Sequence, residues 1–97
     1  MSNTDSAIVT ISNRLGLHAR PAMMLAEAAM RYDSEVTLQR LDQEKAVDAK
    51  SIMQLMMLAA VCGTELKVEA RGSDAAESVA AIRELVKNSF NEDSLDG

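Results

Sequence analysis

The sequence has 97 residues, 47% of them apolar and 26% charged, which suits one domain whose single core buries roughly two-thirds of the unfolded surface. Acids outnumber bases 15 to 10 and only Tyr32 and Phe90 are aromatic, so the basic stripe and stacking platform of a nucleic-acid surface are both missing. One cysteine (Cys62) and one histidine (His18) exclude an internal disulfide, a metal site of the usual His/Cys kind and a histidine pair, and no cofactor is implied.

No apolar run approaches the ~18 residues that cross a bilayer, and residues 1–6 lack a basic flank followed by a long apolar stretch. The expectation is a cytoplasmic protein without membrane insertion. Ala7, Val9 and Ile11 alternate with Ile8, Thr10 and Ser12, which predicts a first strand ending at Asn13. From Ala22 the period changes: Ala22, Leu25, Ala26 and Ala29 make one helical stripe, with Pro21 inside the first turn and an end near Arg31. Glu35 to Leu41 reads as a second strand, and Lys45 to Asp48 as a third, returning antiparallel through a longer loop over Asp42, Gln43 and Glu44 that lacks glycine.

Ile52 to Val61 is almost wholly apolar, and Ser51 before it favours a capped helix that Gly63 would end. Its periodicity leaves two buried stripes open: Leu55, Leu58, Ala59 and Cys62, or Ile52, Leu55, Met56 and Ala59. Glu65 to Arg71 is the clearest strand, with Leu66, Val68 and Ala70 inward and the four charged residues outward. A last helix presents Val79, Ile82 and Val86, with Ser73 or Asp74 as its cap and Glu77 completing a capping box with Asp74. The order βαββαβα implies an α+β, open-faced two-layer sandwich, a four-stranded antiparallel sheet with three helices on one face. Residues 1–6 and 91–97 are expected to be loose ends.

Chemistry points to the junction Leu15 to Ala22. His18 falls at or just before the helix N-cap, where first-turn N–H groups and the helix dipole welcome an anion. Ser, Thr, Asp or Asn would stabilise that position better, so something other than stability can account for histidine there. A neutral imidazole offers a nitrogen lone pair that can attack phosphorus. The resulting dianion would meet the N–H groups of Ala19 and Arg20 and the Arg20 guanidinium. From spacing alone, an incidental surface histidine remains the more ordinary explanation.

Gly16-Leu17-His18-Ala19-Arg20-Pro21-Ala22, with Ala49-Lys50-Ser51-Ile52-Met53 and Gly63-Thr64-Glu65-Leu66 further on, resembles the HPr family of phosphocarrier proteins of the bacterial phosphotransferase system, over about residues 7 to 90. The resemblance implies that His18 takes a phosphoryl group on Nδ1 from phospho-enzyme I and passes it to a IIA protein or domain, with Arg20 orienting it. It implies a carrier in sugar transport or its regulation, not a stand-alone enzyme. Ser51 resembles the serine modified by HPr kinase/phosphorylase; as a residue it is equally an ordinary N-cap. The alternative is a regulatory binding protein acting through phospho-Ser51 on a transcriptional regulator or an enzyme. Asn13-Arg14-Leu15-Gly16 and the acidic tail resemble the nitrogen-related branch, whereas Lys50 to Met53 resembles the kinase-regulated one.

Seven methionines are ordinarily core filling. Here Met23 and Met30 flank the first helix stripe, while Ile52, Met53 and Met56 fall to one side of the second helix for one of its two stripes. With Glu27 they make a candidate partner-docking face suited to brief contacts by a monomer. Cys62 is expected to be a buried small residue, and Asp93-Ser94-Leu95, a tripeptide also found in acyl carrier proteins, a chance match.

Overall fold

The structure, a computed structural model, describes residues 3–91. The changes of hydrophobic period along the chain are realised as β1 (Thr4–Thr10), α1 (Ala19–Met30), β2 (Glu35–Arg40), β3 (Ala46–Asp48), α2 (Ile52–Met57), β4 (Glu65–Arg71) and α3 (Ala75–Lys87). A short 3-10 turn, Ser89–Asn91, follows. The strands form one antiparallel sheet in the order β1-β4-β2-β3, so the segment with the cleanest alternation occupies a central position. Leu66, Val68 and Ala70 of β4 are completely buried, and Val36 and Leu38 of β2 meet Ala70 and Val68 in register on the same face. The predicted two-layer sandwich is the observed fold: the helices cover this apolar face, and Glu65, Lys67, Glu69 and Arg71 line the other.

The α1 stripe Ala22, Leu25, Ala26 and Ala29 is wholly buried, as are the side chains of Ile82 and Val86 on α3. Small residues on α1 let the helix lie close to its neighbours. Phe90 is also buried and seals the core beneath the chain's last described turn, where Ser89, Phe90 and Asn91 all have positive φ.

Five expectations need correction. Residues 4–6 are not loose: Thr4, Asp5 and Ser6 pair with Arg71, Ala70 and Glu69 and lengthen β1 toward the N-terminus. Helix α2 stops at Met57 with Leu58 as its C-cap, well short of Val61, because Ala59 turns into the left-handed region (φ 53°). Of the two α2 stripes neither holds entire, since Leu55 and Leu58 are buried while Ile52, Met56, Ala59 and Cys62 are exposed. Cys62 is therefore not a core residue; its Sγ lies 3.8 Å from the Ser12 carbonyl at the surface.

The capping box at α3 is the fifth. Asp74 is the N-cap residue, but its side chain caps nothing. Both carboxylate oxygens turn toward the α1–β2 turn, accepting hydrogen bonds from Asp33 N (2.9 Å), Ser34 N (2.9 Å) and Ser34 Oγ. Hydrogen bonding from Ser34, then from the Asp33 amide, holds the Asp74 carboxyl below the ordinary aspartate range. The Asp93-Ser94-Leu95 tripeptide lies outside the described residues, as does the rest of the tail beyond Asn91.

Candidate functional site

The residues between β1 and α1 are held by a tight local frame of hydrogen bonds. Buried Asn13 donates from Nδ2 to the Gly16 carbonyl at 2.7 Å, and Gly16 N donates back to the Asn13 carbonyl at 3.1 Å. Gly16 has φ +76°, and a Cβ there would stand 2.5 Å from the Ala60 carbonyl oxygen and 2.9 Å from Val61 Cα. Only glycine fits both the backbone conformation and the space. The next residue, Leu17, is buried and donates its N–H to that same Ala60 carbonyl at 2.8 Å. The chain is thus clamped on both sides immediately before His18.

His18 is the N-cap of α1, with extended backbone (φ −86°, ψ −165°) and a side chain that caps none of the helix amides. Its N–H donates to Gly16 O at 2.9 Å, and its carbonyl accepts the first helical bond, from Ala22 N, also at 2.9 Å. Of the three helical residues before Ala22, Ala19 and Arg20 bring N–H groups and Pro21 brings none. Both are exposed, and the imidazole is half-buried. The structure therefore brings His18, Ala19 and Arg20 together at the positive end of a 12-residue helix.

Ser51 lies elsewhere. It caps α2, its Oγ accepting the Gln54 N–H at 3.2 Å. Next to it, Lys50 Nζ donates to the carbonyl of Tyr32, just beyond the C-terminal end of α1, at 2.9 Å. The chain after α2 returns to Leu17 through Ala60, so α2 runs back along α1 with Ser51 toward the end remote from His18. Both helices leave methionines in solvent along this run: Met23 and Met30 on α1, Met53, Met56 and Met57 on α2. Ile52 and Glu27 are exposed as well.

A family model described as the PTS HPr component phosphorylation site matches residues 6–88. The chain belongs to the PTS-HPr family. Among PTS-HPr relatives, the phosphocarrier protein HPr of Treponema pallidum is 44% identical over 85 residues, covering 88% of this chain and 94% of the relative. The phosphocarrier protein NPr of Klebsiella oxytoca is 44% identical over 90 residues, covering 93% and 99%. The crystal structure of HPr-C-His from Thermoanaerobacter tengcongensis superposes with a TM-score of 0.85 at 34% identity, covering 91% of this chain and 97% of that one. The chain is thus a phosphocarrier of the phosphotransferase system, and these two relatives, one named HPr and one NPr, are each 44% identical to it.

Two features of the structure around this loop were not drawn from the sequence. The Asn13–Gly16 frame was detectable in principle, because an Asn three residues before a Gly is a common turn signature. Arg40 had no such signal. Its Nη1 donates to the carbonyls of Leu58 and Ala59 (3.1 Å each) while Nε and Nη2 grip both oxygens of Asp42 at 2.9 and 2.8 Å. The hydrogen bond from Arg40 lowers the Asp42 carboxyl, and its counterpart raises the guanidinium. No helix among the described residues is long and apolar enough to cross a membrane.

Proposed function

We propose that the protein carries a phosphoryl group on His18, receiving it from phospho-enzyme I and delivering it to a IIA protein or domain in the cytoplasm. The observation that carries this reading is the use of histidine as the N-cap of α1 without a capping hydrogen bond from its side chain. Serine or aspartate there would add about 1 kcal/mol of stability. The imidazole instead stands where a bound anion would face the first-turn amides.

In the transfer step, an imidazole nitrogen forms a bond to phosphorus as the bond from phosphorus to the donor breaks. The phosphoryl group arrives with its three oxygens, and the donor keeps the electron pair. Ala19 N, Arg20 N and the Arg20 guanidinium then face the dianion. The reverse step, with the acceptor's nucleophile attacking, empties the site. Donor and acceptor supply the remaining catalytic groups on docking, so the protein is a carrier rather than a stand-alone enzyme. The face with Met23, Glu27, Met30, Ile52, Met53 and Met56 is their docking surface, its exposed thioethers adaptable to more than one partner.

Ser51 is a second phosphorylation position in this reading, for an HPr kinase/phosphorylase, where a dianion beside Ile52 and Met53 would change partner choice, including a transcriptional regulator. The test is incubation of the full chain with enzyme I and phosphoenolpyruvate. An acid-labile, alkali-stable phosphate that vanishes in His18→Ala is expected; a label that survives that substitution overturns the assignment. With the kinase and ATP, an acid-stable phosphate lost in Ser51→Ala is expected, and no label on a chain tested beside a modified control carrier removes the serine half.

A further inference from the structure

Helix α2 ends early, and the reason reaches the phosphoryl site. The last carbonyls of a helix have no partner within it. Here Leu58 O and Ala59 O both receive Arg40 Nη1 at 3.1 Å, from a strand 18 and 19 residues away in sequence. Ala59 adopts φ 53°, a conformation that a residue with a β-carbon takes only when its surroundings impose it. The carbonyl that follows, Ala60 O, is the one that receives Leu17 N at 2.8 Å and against which Gly16 is packed. The arginine is itself held, its planar fork fixed on both oxygens of Asp42.

We infer that Arg40 is a positioning residue for phosphoryl transfer: anchored by Asp42, it orients the left-handed 58–60 segment so that the Ala60 carbonyl holds Leu17 and thereby sets the placement of His18. This rests on the reading of His18 as phosphoryl acceptor. An ion pair at the surface contributes little to stability, and the Asp42 side chain is 65% exposed. What the clasp supplies is direction. It fixes the two carbonyls immediately before Ala60, whose own carbonyl holds Leu17, and small errors in the position of a reacting group slow its reaction strongly. Arginine is required because a lysine ammonium cannot grip a carboxylate in two places and bridge two carbonyls from the opposite edge.

The experiment measures enzyme I-driven phosphorylation against carrier concentration for the full chain, for Arg40→Ala, Arg40→Lys and Asp42→Asn, and for Ile82→Val as a control for core stability. Arg40→Ala should lower kcat about fivefold with KM changed less than about twofold, Arg40→Lys should not rescue it, and Asp42→Asn should lower it about twofold. Ile82→Val should leave both constants unchanged. In Arg40→Ala the Leu17 amide should exchange its hydrogen about tenfold faster than in the wild type, with core amides such as Val68 unaltered, and the His18 ring resonances should shift.

Wild-type kcat in Arg40→Lys and Asp42→Asn, or a loss in Arg40→Ala that Ile82→Val reproduces, overturns the proposal. Should Arg40→Ala not fold, the lysine and asparagine variants decide it by the same criteria. Absence of any label on the wild type refutes the carrier reading instead, and the exchange of Leu17 then decides the clasp separately.

Discussion

Helices α1 and α2 begin in opposite ways. At α2 the N-cap is Ser51, whose Oγ accepts the Gln54 N–H and satisfies a donor that the helix leaves over. At α1 the N-cap is His18, whose side chain does no capping, and the chain is held in register by contacts behind it: Asn13 on Gly16, and Leu17 on Ala60. A helix of six residues uses the stabilising cap, while the 12-residue helix, packed through a whole apolar stripe, does without one. Where tertiary packing secures a helix, its first position is released from the duty of stabilising it, and chemistry can occupy the place.

The sharpest way to break that comparison is to make the two starts alike. His18→Ser should abolish phosphoryl labelling by enzyme I while raising stability by about 1 kcal/mol, read from denaturant midpoints. A variant that loses stability would mean that the imidazole holds the helix after all. Gly16→Ala attacks the contacts behind the histidine, and should cost about 2–4 kcal/mol because the added Cβ meets Ala60 O in a left-handed backbone. Gly63→Ala is its control: φ is also positive (+95°) but no atom lies within 4 Å, so about 1 kcal/mol is expected.

Ser51→Ala removes the cap at the other helix and should cost about 1 kcal/mol, with His18 labelling unchanged. The smallest effect concerns the third start, at α3, where Asp74 serves the α1–β2 turn. Its carboxyl is lowered chiefly by the Ser34 hydrogen bond, so its contribution to stability is present above the unfolded value, about 3.9, and is lost as pH falls through the lower folded value. Thermal unfolding of Asp74→Asn should therefore differ from wild type at neutral pH and converge with it in strong acid. A difference independent of pH would show that charge is not what the turn requires.

Much of this was legible in the residues. The alternation of Glu65 to Arg71 and the stripes of α1 and α3 depend on which side of an element is apolar, a local property that repeats every two or 3.6 residues. His18 could be assigned to a helix start because Pro21 and the stripe from Ala22 fix where that helix begins. The exposure of Ile52 and Met56 could be narrowed only to alternatives, since a segment apolar all round has no polar face to orient it. Asp74 misled for a different reason: a short carboxylate can cap its own helix or serve a distant turn, and only the proximity of Ser34 decides which.

Sequence alone was sufficient for the element order and for the buried faces of α1, β4 and α3, because each is written in spacing of a few residues, while the family was legible in the motifs around His18 and Ser51 that resemble it. The strand order β1-β4-β2-β3, the early end of α2 at Ala59 and the Arg40 clasp belong to the tertiary structure. Their cause is competition among backbone carbonyls and side chains that lie far apart along the chain, and such a contest is settled only when folding brings the contestants within hydrogen-bonding distance.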